Sequence, residues 1–270
     1  MKKYFFIIVA IVLIPVGAEV VYANHSWGNY HWARTTPSFT LSLGDNIANI
    51  WDPYLAVSST KWSSSVVLDT KIVAGSNKRN CGPVAGRVEV CASKYGNNGW
   101  LGIASIWASG EHITQATVKM NDTYFNTAKY NKASWRQMVL CQEVGHTFGL
   151  GHQDEDVNNL NMGTCMDYTN DPSRDDGLGN NLYPNAHDYS MLETIYALLD
   201  TTTTVSQNTA SLKGRAALED QLGDDPRNWG KEIKRSADGH ASLFEKDLNN
   251  GEKIFRHVFW AEPRAHHHQD

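Results

Sequence analysis

The segment 142–152, Gln-Glu-Val-Gly-His-Thr-Phe-Gly-Leu-Gly-His, constrains this chain more than any other stretch. Ser134-Trp135-Arg136-Gln137 has capping-box spacing, so a helix is predicted from there to about Phe148, before Gly149 and Gly151 break it. On that helix Gln142 and His146 lie one turn apart on the same face, with Glu143 beside them. Gly149 lets the backbone turn sharply and send His152 back toward that face. Two imidazoles, an amide and a carboxylate brought together in this way form a clamp for one metal ion.

The remaining sequence supplies a sheet for the helix to lie on. Phe39, Leu41 and Leu43 alternate as in a strand, and residues 48–56 have the looser spacing of a helix. Residues 87–90, 101–107 and 113–120 read as strands separated by Gly- and Asn-rich turns. A polar, irregular stretch then runs to Asn185, and helical spacing returns over 187–199. Composition shifts at Thr201, where a Thr run and polar residues read as a linker, with a short helix near 212–222. Asp238-Gly239 and Asn250-Gly251 separate strand-like runs at 231–235, 241–246 and 253–260, which predicts a small β-meander.

Export is expected from the first residues. Lys2 and Lys3 precede an apolar run over 4–16, and Val21-Tyr22-Ala23 offers the small residues that a signal peptidase reads. Residues 1–23 are therefore read as a signal peptide, with an uncleaved anchor as the alternative, and the chain as secreted and extracellular, without stable membrane insertion after cleavage. Residues 24–200 form the main domain in this reading, and 201–270 a linker and a small C-terminal β module. Twenty-four Lys and Arg against 29 Asp and Glu give a formal charge of -5, with no basic block, which excludes a phosphate-tracking nucleic-acid binder. Four cysteines allow three pairings. Locality favours Cys81 with Cys91, leaving Cys141 with Cys165, and the absence of a C-x2-C pair disfavours a cysteine zinc site.

Glu143, His146, Gly149 and His152 resemble the signature of the metzincin clan of zinc endopeptidases (matrixin-, astacin- and serralysin-like), H-E-x-x-H-x-x-G-x-x-H followed by a Met-turn. Cys165-Met166-Asp167-Tyr168 resembles that turn, and Gln142 stands where the clan has its first zinc-binding His. The resemblance implies an α+β fold with a twisted mixed sheet, an active-site helix, a Met-turn and a C-terminal helix, to which the β-meander is added. It implies Zn2+ on His146 and His152, Glu143 as general base, Tyr168 near the metal and Met166 packed beneath it, with a peptide or protein as substrate. It also places 113–120 as the edge strand against which a peptide would lie.

Gln142 Oε1 reaches as far from Cα as His Nε2, but a neutral amide oxygen is a harder and weaker donor, so lower affinity or another divalent metal is expected. Alternatively Gln142 faces the site without binding, and His112 or His187 completes the ligands. Asp154, Glu155, Asp156, Asp171, Asp175 and Asp176 lack EF-hand spacing, so loop carboxylates are expected there in preference to a Ca2+ site. The competing functional reading is an inactive relative that binds peptides or serves as an extracellular adhesive protein.

Overall fold

The computed structural model describes residues 24–76, 81–206 and 225–261. The expected signal peptide and the helix near 212–222 lie outside the described residues, as do the three consecutive histidines His266, His267 and His268 of the sequence. In chain order the elements are β1 (His31–Trp32), β2 (Phe39–Asn46), α1 (Asp52–Trp62), β3 (Leu68–Ala74), β4 (Val88–Ser93), β5 (Trp100–Ser109) and β6 (His112–Asn121). Then follow α2 (Asp122–Phe125), α3 (Ala133–His146), α4 (Ala186–Ile195), β7 (Lys231–Arg235), β8 (Ala241–Asn249) and β9 (Glu252–Trp260).

One mixed sheet runs β3-β2-β4-β6-β5-β9-β8-β7, with β1 pairing β6 off that path. The β2, β3, β4 and β6 pairs are parallel, whereas β5 is antiparallel to both β6 and β9. The chain is thus α+β, a mixed sheet with the site helix and the turn after it laid out as the metzincin resemblance implies. Alternation builds β2, whose Phe39, Leu41 and Leu43 are buried while Thr40 is exposed. Both faces of β5 and β9 are covered, so their residues are buried almost without alternation.

Three sequence expectations change here. Ser134 does not cap α3, because the N-cap is Lys132 and no side chain bonds there; the box sits instead at Asn185 and Asp188, where it opens α4. Residues 113–120 are no edge, since β6 is flanked by β4 and β5. The C-terminal meander forms as β7–β9, yet it continues the main sheet through nine residue pairs between β9 and β5. The two runs of strands join because each offers an apolar edge that would otherwise leave backbone N–H and C=O groups unpaired.

Helix α3 is buried from Trp135 to His146 and lies against α1, β5, β6 and β9. Its carbonyls are met by the tryptophans that enrich the start of the chain. Trp62 Nε1 donates to Cys141 O (3.1 Å), Trp27 Nε1 to His146 O (3.0 Å) and Trp32 Nε1 to Thr147 O (2.8 Å). A buried helix C-terminus must have such donors, and here they hold α3 in position along its axis.

Candidate metal centre

Helix α3 ends where Gly149 takes φ +99°, a conformation that disfavours any side chain, and a Cβ there would lie 2.6 Å from Tyr30 O. The turn brings His152 back against His146, with ring centroids 4.5 Å apart and planes perpendicular. Gly145 makes the other close approach. A Cβ on it would meet Met166 Sδ at 2.6 Å, so Met166 packs directly beneath the helix at the level of the site. Cys141 is bridged to Cys165, which joins the helix to the turn holding Met166, and Cys81 is bridged to Cys91.

Each sequence-expected ligand has one end tied. Gln142 Nε2 donates to Cys165 O (2.8 Å), which leaves Oε1 buried with no hydrogen-bond partner. His146 Nδ1 is 2.8 Å from Leu150 O. A carbonyl only accepts, so Nδ1 carries the proton and the buried Nε2, which has no partner, presents a lone pair. His152 Nδ1 is 2.5 Å from Glu155 Oε1, with the same consequence for its Nε2. Glu155 is itself fixed by Lys234 (2.9 Å) and by Ser242 Oγ (3.1 Å), from β7 and β8. Burial alone would raise its pKa, but His152 and Lys234 outweigh that and hold it at about 2.

Burial sets the charge state of the others. It lowers His146 well below the ordinary range, with a further push from His152, and it lowers His152 despite the Glu155 hydrogen bond. Both rings are therefore neutral, the form that binds metal. The Glu143 carboxyl is fully buried and pushed well above its ordinary range, opposed only by the backbone N–H groups of Ala104 and Phe259. Tyr168 packs on His152 at 4.4 Å, but its hydroxyl donates to Val258 O (2.9 Å) on β9.

His257, on β9, is the site residue that sequence reasoning missed. Its ring stacks on that of His146 at 4.0 Å, inclined by 15°, and neither nitrogen has a hydrogen-bond partner. Burial, then the neighbouring His146 and His152, lower it well below the ordinary range. No local spacing marked it; the only signal was a His next to Arg256 in a strand whose other central residues, Ile254, Phe255, Val258 and Phe259, are apolar and buried. His112 and His187 do not complete the centre. His112 bonds Asp200 (3.0 Å), and His187 packs on His25 with centroids 4.6 Å apart. Asp154 takes the Asp156 N–H, Asp171 Ser173, Asp175 the N–H groups of Gly177 and Gly179, and Asp176 Arg174, so these carboxylates serve local turns.

The donor set fits a cation. Three buried acceptors, one amide oxygen and two imidazole nitrogens, are left without partners while the other end of each group is held by a hydrogen bond. An unsatisfied buried polar atom costs about 1–3 kcal/mol, so three together are unfavourable without an ion to share. A cavity of about 220 Å³ bordered by Trp27, His152, Glu155, Lys234 and His257 reaches this region from outside.

No family model matches the chain, and no curated protein matches its sequence. Among solved structures it is similar to myroilysin, at 11% identity and a TM-score of 0.35 over 63% of this chain and 87% of that one. A second structure of myroilysin gives 11% identity and a TM-score of 0.32, over 59% of this chain and 79% of that one. High choriolytic enzyme 1, a hatching enzyme zinc-protease from Oryzias latipes (medaka fish), is similar at 8% identity and a TM-score of 0.34, over 62% of this chain and 94% of that chain. Overlaps of this size leave the strand order and the α3 geometry to define the fold. Among the described residues no helix is long and apolar enough to cross a membrane.

Proposed function

We propose that the chain is an exported metal-dependent endopeptidase in which Gln142 Oε1, His146 Nε2 and His152 Nε2 hold one divalent cation, with zinc the first candidate. The observation that supports this most is the set of three buried, unpartnered acceptors, each oriented by a hydrogen bond at its far end. Histidine ligands are commonly oriented in this way, with the second nitrogen given to a carbonyl or a carboxylate. Export fits the two disulfides, which persist in oxidising compartments.

The bound cation would supply Lewis acidity, polarising a water and the scissile carbonyl. Glu143, one residue along the helix from Gln142, accepts the proton of the attacking water and returns it to the leaving amine. Burial raises its pKa, and a positive charge held beside it would lower it again. Tyr168 would stabilise the oxygen that gains charge once its hydroxyl has left Val258 O. Strand β9 lies along β5 over the site, so a peptide reaches Glu143 only after that strand shifts.

The same covering strand favours a second reading, a silent relative whose cleft is permanently filled by its own chain. The two readings separate in one experiment. Metal content is measured after mild purification, and a broad peptide library is exposed to wild type and to Glu143→Ala. The peptidase reading expects cleavage by wild type and a drop of about 10²- to 10⁴-fold in the variant. Equal rates in both proteins would sink it, and metal binding without cleavage would favour the silent relative. Gln142→His tests the first ligand separately. Tighter zinc binding in a competition titration is expected, because imidazole is the better donor. Unchanged affinity would place Gln142 outside the coordination sphere.

A further inference from the structure

We propose a second divalent-metal site, distinct from the α3 centre, formed by His31, His112 and Asp200. It is the one group of three His, Cys or acidic side chains among the described residues whose ligand atoms all lie within 4.8 Å of one another. Its members come from three separate places: β1, the start of β6, and the segment after α4. Pairing brings two of them together, since His31 and His112 are register partners in the parallel β1–β6 pair. Asp200 arrives from the far end of α4, with Oδ1 lying 3.3 Å from His31 Nε2 and 3.0 Å from His112 Nε2.

The hydrogen bonds around the group argue for a cation. His31 Nδ1 lies 2.7 Å from the carbonyl of Asn29, which can only accept, so the proton of a neutral ring is on Nδ1. His31 Nε2 then presents a lone pair toward a carboxylate oxygen, an arrangement that repels unless a proton or a metal stands between them. The other oxygen, Asp200 Oδ2, is held by the backbone N–H of Arg34 at 2.9 Å. Two of the three ligands are therefore anchored from behind, as in metal sites whose outer hydrogen bonds fix ring and carboxylate orientation. Two imidazoles and one carboxylate form a common donor set for zinc, and the partial exposure of all three leaves a position for water.

Occupancy would clip the β1 segment to the chain beyond α4, and so hold the tryptophan donors at the end of α3 from the outside. The proposal does not depend on the peptidase reading. The test uses the full chain in a background where His266, His267 and His268 are Ala, so that the tail contributes no metal. Zn2+ is titrated calorimetrically, and Co2+ by its visible absorption, into four proteins: this background, His112→Ala, Asp200→Asn, and the double variant His146→Ala with His152→Ala. Asp200→Asn keeps an acceptor for Arg34 N–H, and circular dichroism confirms that it is folded.

The expected result is that His112→Ala loses one equivalent of bound metal, that Asp200→Asn binds that equivalent more weakly because an amide oxygen is a poorer donor than a carboxylate, and that the His146/His152 variant retains one equivalent. Unchanged stoichiometry in His112→Ala together with unchanged affinity in Asp200→Asn would overturn the proposal, as would a folded His146/His152 variant that binds nothing. If the α3 centre binds no metal, the background protein takes up a single equivalent that His112→Ala abolishes, so failure of that reading is seen separately.

Discussion

The α3 centre has two walls, built from different distances along the chain. One is helix α3, the turn at Gly149 and the strip that ends at Tyr168, bridged from Cys141 to Cys165 across 24 positions. The other is β9, whose Val258 carbonyl receives the Tyr168 hydroxyl from 90 positions away. In the first wall each polar group is oriented by a local partner: Gln142 by Cys165 O, His146 by Leu150 O, His152 by Glu155. In the second, His257 has no hydrogen bond at either nitrogen and is held by stacking and strand pairing. The near wall therefore orients the side chains proposed as ligands, while the far wall buries them, which strengthens every charge interaction inside.

The division of labour is open to attack from the far wall first. Phe259 packs on Tyr168 at 5.0 Å and on Trp135 at 6.1 Å. Phe259→Ala is expected to cost about 3–5 kcal/mol in urea unfolding, the usual price of emptying an aromatic core position. Metal content should nevertheless survive in the folded fraction; loss of both would show that the walls are not separable. The near wall is tested by Cys141→Ser with Cys165→Ser, which removes a cross-link worth about 3 kcal/mol by the loop-entropy estimate. Its mark should be a lower thermal midpoint together with weaker metal binding, because Gln142 leans on the Cys165 carbonyl.

The smallest change probes the residue shared by both walls. Glu155 takes His152 from one side and Lys234 and Ser242 from the other. Glu155→Gln is expected to weaken metal binding about 10- to 100-fold, as outer-shell changes do, with little effect on the far-ultraviolet spectrum. Unaltered affinity would mean that His152 is positioned by the Gly149 turn alone.

The helix, its broken end and the near wall were legible in the sequence because helical periodicity and glycine conformations are local. Gln142 and His146 stand one turn apart on α3, and His152 packs on His146 once the turn is made. The strands were legible for the same reason, and so were the two short turns of the meander. Their partners were not. Which edge β9 would pair with depends on the shape and exposure of β5, an outcome of how the whole sheet assembles. The misplaced edge at 113–120 and the detached C-terminal module share that origin.

The sequence by itself determined the chemistry at hand: which side chains stand one helical turn apart, where the backbone reverses, and that no run of basic charge exists. Tertiary structure alone decided that His257 joins the centre, that Tyr168 turns its hydroxyl to β9, and that His31 and His112 meet Asp200. The reason is physical. Local patterns follow from the period of the backbone, whereas long-range contacts are chosen by burial and by the need to pair every buried N–H and C=O, and those demands are met only by the folded whole.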